Sequence, residues 1–279
     1  MNLVEIAKEI RETISNKQSQ IGLSFEEENH IYTMNGKKDY PSVSKVLKHF
    51  YTPFPADEIA NRKANGNLEQ KQILIKQWEE SGNYATNLGS RTHFILEQKS
   101  LELFNIEKNV RQPQFECDLT QLMKSDNMII AGNRFLELMS QRGAVLVDTE
   151  VVMGSEELGY CGQGDSLWVI ENKNKDGIGL IWSDYKTNQA KSFQTTKYTK
   201  KMLHPFQNYD DTALGHYYVQ LPLYGKLILK MLEGSKYENL KLYGCIIVHL
   251  RDDTQFEEFR APKEIISTVL DMDMKKYLV

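Results

Sequence analysis

Apolar positions along the chain change period near its middle, from a three-to-four spacing to short alternating or continuous runs. Before residue 144 the helical spacing dominates. Residues 1–20 read as a short amphipathic helix. Residues 68–102 carry Ile73, Leu74, Trp78, His93, Leu96 and Leu101 at helical intervals, and Gly82-Asn83 is expected to interrupt that run. A further helix is expected over 128–142, stopped by Gly143. Between these, 31–34 and 37–40 flank Asn35-Gly36, a pair that favours a type I′ hairpin turn. Ser42 or Ser44 can then cap a short helix through Leu47. After residue 144 the pattern predicts strands over 144–153, 164–170 and 179–185. A polar turn at 172–177 pairs the last two as a hairpin. A long helix over 214–232 and a buried strand over 243–250 complete a β-β-β-α-β order. Pro222 is expected to kink that helix or to mark its true first turn. The expected organisation is a mainly helical region over 1–143, with a small hairpin near 31–40, and a core over 144–279. Both parts are expected to form one compact domain.

Composition narrows the class. With 41% hydrophobic and 26% charged residues the chain fits an ordinary globular protein. No run approaches the ~18 apolar residues that span a bilayer. Glu5, Glu9 and Glu12 near the N-terminus argue against a secretion signal or a transit peptide, so a cytoplasmic protein is expected. Cys117, Cys161 and Cys245 share no CxxC spacing, and three thiols cannot build a four-cysteine iron–sulfur cluster. The net charge of −4 argues mildly against a nucleic-acid partner, yet its distribution matters more than its sum. Residues 185–209 contain no acid, while Lys186, Lys191, Lys197, Lys200 and Lys201 fall inside that stretch. Such a strip supplies counter-charge for a phosphate backbone, or forms a solvated lysine-rich loop.

The candidate chemistry lies in Gly89-x-x-x-His93, Glu150, Gly162-x-x-Asp165, Asp184-x-Lys186 and Gln220-x-x-x-Tyr224. Hard oxygen ligands, one imidazole and a lysine beside the last carboxylate are what a divalent-metal phosphodiesterase needs. Asp184 and Lys186, two apart on a strand, share a face. Asp165 and Asp184 are expected near the start of one strand and the end of the next. Gly89 lies one turn beneath His93, where a small residue lets the helix approach the sheet. Each residue also has a plainer use: aspartates cap turns, strand-edge lysines aid solubility, a lone helical histidine is structural, and Tyr224 belongs to a core stripe. Arg62, Lys63, Trp78 and Arg91 are further candidates for contact with a strand, although Trp78 in an apolar stripe reads as core.

In order and spacing these motifs resemble the RecB-like branch of the PD-(D/E)XK nuclease superfamily, and most of all phage exonucleases and mitochondrial genome maintenance exonucleases. The segment His30-Ile31-Tyr32 to Tyr40-Pro41-Ser42-Val43-Ser44-Lys45-Val46-Leu47 resembles the opening of those proteins. The likeness covers roughly residues 25 to 250. It implies an α/β fold with a restriction-endonuclease-like core, a central mixed sheet flanked by helices. It implies that His93, Asp165 and Asp184, with the Tyr185 carbonyl, hold Mg²⁺ or Mn²⁺, the imidazole favouring Mn²⁺. Lys186 would act on the attacking water. Glu150 would orient groups around the ion, and Gln220 and Tyr224 would line the site, Tyr224 contacting the backbone of the nucleic acid. The activity implied is a DNA exonuclease of phage or bacterial origin, acting in replication, recombination or repair. It would prefer single strands with a free end and leave 5′-phosphate and 3′-hydroxyl products. A sequence-tolerant endonuclease, a non-catalytic DNA-binding subunit that works with replication or recombination proteins, and a small-molecule metallohydrolase are the alternatives. Oligomeric state stays open.

Overall fold

A computed structural model describes residues 2–278, apart from 111, 173, 175, 176, 190–192 and 195–199. Helix α1 (Leu3–Gln20) starts where the Asn2 side chain accepts the amides of Val4 and Glu5. Its buried Ala7, Ile10 and Ile14 join the same core as Val151, Met153 and Leu227, so the N-terminal region shares its interior with the rest of the chain. A small antiparallel sheet follows, β1 (Ser24–Glu26), β2 (Ile31–Met34) and β3 (Lys37–Lys38). Asn35 and Gly36 both take positive φ, as the type I′ turn requires. Ser42 caps α2 (Val43–Leu47), and α3 (Ala56–Lys63) leads into α4 (Leu68–Leu103).

The expected interruption at Gly82-Asn83 does not occur: α4 runs unbroken for 36 residues. A glycine inside a helix costs only about 1 kcal/mol relative to alanine, too little to end so long an element. The next helix also starts earlier than expected. α5 (Leu119–Gln141) opens with a capping box in which Asp118 and Gln121 bond each other's backbone amides. Helices α4 and α5 pack closely where a Cβ on Gly132 would come within 2.5 Å of Leu96, and Thr92 and Ser125 join hydroxyls at 2.9 Å.

Five strands form the main sheet in chain order: β4 (Val145–Ser155), β5 (Tyr160–Glu171), β6 (Ile178–Lys186), β7 (Lys241–Leu250) and β8 (Phe256–Arg260). β6 and β7 are parallel and the other neighbours antiparallel, which makes the sheet mixed. The parallel pair needs a crossover, and α6 (Ala213–Leu232) lies within it. That helix continues through Pro222 without breaking. β8 and α7 (Lys263–Asp271), which the hydrophobic pattern did not reveal, close the fold. One side of the sheet packs on α4 and α5 through Trp168, Tyr185 and Val248, and the other on α1, α2 and α6 through Leu167, Trp182 and Ile247. Among the described residues no helix is long and apolar enough to cross a membrane.

Candidate active site

The site lies where β5 and β6 part. Their ladder ends at Ser166–Ser183, leaving the Tyr185 amide without a strand partner on that side. The Asp165 carboxylate takes it, accepting the Tyr185 N–H at 2.9 Å. β5 begins at Tyr160, so Asp165 sits inside its strand and not near the start, as the sequence had suggested. The Tyr185 backbone thus meets Asp165 through its N–H, and the Tyr185 ring is buried against Phe135.

The same Asp165 oxygen, Oδ2, lies 3.1 Å from His93 Nδ1. The absence of a side chain on Gly89 eases the approach of α4 here: a Cβ there would stand 3.1 Å from Thr187 Oγ1, just past β6. Across the sheet Glu150 falls between the pairs Thr149–Ser166 and Val151–Gly164, opposite Asp165. Its φ of +44° is a left-handed conformation that a glutamate inside a strand adopts only under constraint. His93, Glu150 and Asp165 each offer one ligand atom, and these three atoms lie within 4.8 Å of one another. Glu150, expected around the ion, is thus one of the central three.

Asp184 takes a different position. It shares a strand face with Trp182 and Lys186, and Trp182 packs on Tyr224 of α6. The Asp184 carboxylate, 6% exposed, closes on the Lys186 ammonium. That ammonium sits 4.5 Å from the centroid of the Tyr217 ring, whose hydroxyl donates to Asn188 at 2.9 Å. Gln220 donates to the Tyr224 hydroxyl at 3.1 Å, so Pro222 leaves that pair on one face. Gly162 exists for packing: a Cβ on it would come within 2.7 Å of the Tyr224 ring.

Burial and charge set the protonation states. Burial alone would lower His93, but the Asp165 carboxylate and hydrogen bond hold it up at about 9. Burial would raise Asp165, yet His93, Lys186 and the Tyr185 amide bring it down to about 2. Glu150 is pushed up to about 8 by burial and by Asp165, so it carries a proton at neutral pH. Asp184 rises to about 6 through burial and Asp165, against the pull of Lys186. Lys186 stays above its ordinary range because Asp184 and Asp165 outweigh burial.

Two open cavities, of about 810 and 790 Å³, meet at Thr86 and His93. The first reaches Tyr84, Lys124, Lys186, Tyr217 and Arg251; the second reaches Glu97, Lys108, Glu150 and Asp165. Glu97, one turn beyond His93, and Tyr217, one turn before Gln220, escaped the sequence reading although their helical spacing marks them. Lys108 sits in a loop, where no periodicity points to it.

The candidate strand contacts divide. The Arg91 guanidinium pairs with Asp126 of α5 at 2.8 Å, its side chain 17% exposed. Lys201 pairs with Asp210 at 2.7 Å but stays largely exposed, as does Lys200. Lys191 and Lys197 lie outside the described residues. Trp78 is half-buried outside the core clusters, beside Phe54 and under the Lys63 ammonium, while Arg62 is exposed. Compared with known proteins, the chain matches no family model and no curated protein.

Proposed function

We propose that this chain is a metal-dependent DNA exonuclease of the RecB-like PD-(D/E)XK type. The observation that carries the reading is the meeting of His93, Glu150 and Asp165 within 4.8 Å, beside an Asp184–Lys186 pair at the parting of two strands. One nitrogen and two carboxylate donors suit Mn²⁺ or Mg²⁺, and the constrained backbone of Glu150 is what a preorganised donor set requires. His93, Glu150 and Asp165 would hold the ion, with Asp184 adjoining; when bound it supplies Lewis-acid charge to a phosphoryl oxygen.

The protein's own groups do the remaining work. Lys186 keeps its proton at Nζ, so it offers positive charge and hydrogen bonds, and a lone pair is not what it brings to the attacking water. Tyr217 fixes the ammonium from one side and Asp184 from the other. In hydrolysis the water oxygen bonds to phosphorus as the bond to the 3′ oxygen breaks, giving a 5′-phosphate and a 3′-hydroxyl. The cavity lined by Tyr84, Lys124 and Arg251 combines aromatic faces with cations, the pairing that binds single strands.

The test compares wild type with Lys186→Ala on end-labelled linear and circular DNA, single- and double-stranded, with Mn²⁺, Mg²⁺ or EDTA. Metal-dependent loss of linear single strands, with circles spared and the variant inactive, is the expected result. Cutting of circles would make it an endonuclease; DNA binding with no cleavage under any metal would make it a non-catalytic subunit.

A further inference from the structure

We infer that Lys108 is a positioning residue that holds the Glu150 carboxylate in the donor cluster by gripping the backbone in front of it; the inference rests on the metal-site reading above. The ammonium of Lys108 contacts the carbonyl oxygen of Thr149 and lies 3.2 Å from Asp148 Oδ1. That carbonyl belongs to the peptide joining Thr149 to Glu150, and the φ of Glu150 is the rotation of this peptide plane about the N–Cα bond. Lys108 therefore holds the group whose orientation defines the left-handed φ of +44°.

Two further bonds fix the same peptide segment. Asp148 Oδ1 accepts the Thr149 amide at 2.8 Å, and the Thr149 hydroxyl donates to Glu97 at 3.3 Å. A left-handed glutamate in a strand relaxes toward the extended region when its neighbours release it. Rotation of the plane would swing the Glu150 side chain away from His93 and Asp165. Lys108 is also the only lysine or arginine among the described residues lining the cavity on that side.

The sign of the effect separates positioning from plain electrostatics. A cation beside a metal site repels the ion, so by charge alone its removal tightens binding. Loss of a positioning residue weakens it, by about 10- to 100-fold for groups that orient ligands. The experiment titrates Mn²⁺ calorimetrically into wild type, Lys108→Met, Lys108→Arg, Glu150→Gln and the Lys108→Met/Glu150→Gln double variant, with thermal unfolding confirming each fold. Expected are a loss of at least tenfold in Lys108→Met, recovery of most of it in Lys108→Arg, and less than a twofold added loss in the double variant. Lys108→Gln, which keeps a donor, takes the place of Lys108→Met should that protein not fold. Unchanged or tighter Mn²⁺ binding in Lys108→Met, or the same loss with and without Glu150, overturns the inference. Absence of Mn²⁺ binding in wild type overturns the metal-site reading itself.

Discussion

Changing pH alone should change the grip on a metal ion by orders of magnitude. At pH 7 the His93 imidazole, held up at about 9, and the Glu150 carboxyl, pushed up to about 8, both carry protons. A divalent ion takes their lone pairs only after those protons leave. The gap is two pH units for His93 and one for Glu150. Together these weaken apparent affinity at neutral pH by about three decades, about 4 kcal/mol at ~1.4 kcal/mol per decade. Because the ion competes with protons, affinity rises with pH: by about three to four orders of magnitude from pH 6 to pH 8, flattening above about pH 9. Calorimetric titration with Mn²⁺ in paired buffers of different ionisation enthalpy measures both affinity and proton release. About two protons should leave per ion at pH 7. An affinity that moves less than tenfold between pH 6 and 8, or release of fewer than one proton, would refute this assignment of charge.

Three substitutions test other parts of the structure. Glu150→Gly frees a strained backbone and removes a buried carboxyl, so unfolding should cost about 1 kcal/mol more while Mn²⁺ affinity drops; a lower melting temperature would contradict the strain. Gly162→Ala drives a methyl to 2.7 Å from the Tyr224 ring and 2.8 Å from Val43, an overpacking worth about 1–3 kcal/mol. Its melting temperature should fall by several degrees, whereas Gly244→Ala, facing open space, should leave it nearly unchanged; equal melting of the two would dismiss the contact. Tyr217→Phe keeps the ring over Lys186 and should hold kcat for DNA hydrolysis within about threefold, whereas Tyr217→Leu should lower it about tenfold. Equal rates in the two variants would show that the ring does not act on the ammonium.

Much of this geometry follows from spacing alone. The interval in Asp184-x-Lys186 places both side chains together because a strand repeats every second residue, and they are found in contact. Asn35-Gly36 named its turn, and Gly89 named the close approach of α4. The start of α5 was equally legible in Asp118-x-x-Gln121, a capping signal that the weaker apolar pattern before Met128 obscured. Glu150 was not legible in this way. Residue type marks a left-handed position when it is glycine or asparagine, and says nothing when tertiary contacts force a glutamate there. Lys108 shares that limit, since a loop residue 42 positions before Glu150 meets its strand only in three dimensions.

Thr149 and Val151 stand two residues apart, the interval after which a regular strand points the same way again. Yet the Thr149 hydroxyl meets Glu97 on α4, while Val151 is buried in the core shared with α6. Val147 lies in that same core, so the register shift between Leu146 and Asp148 and the left-handed step at Glu150 bracket a short segment in which Thr149 turns to α4. Across from it, Gly164 aims at Trp182 in the α6 core. His93, Glu150 and Asp165 meet beside that turned segment. The step that ends this segment also sets Glu150 beside His93 and Asp165, so the irregularity of the strand and the meeting of the three donors are one feature.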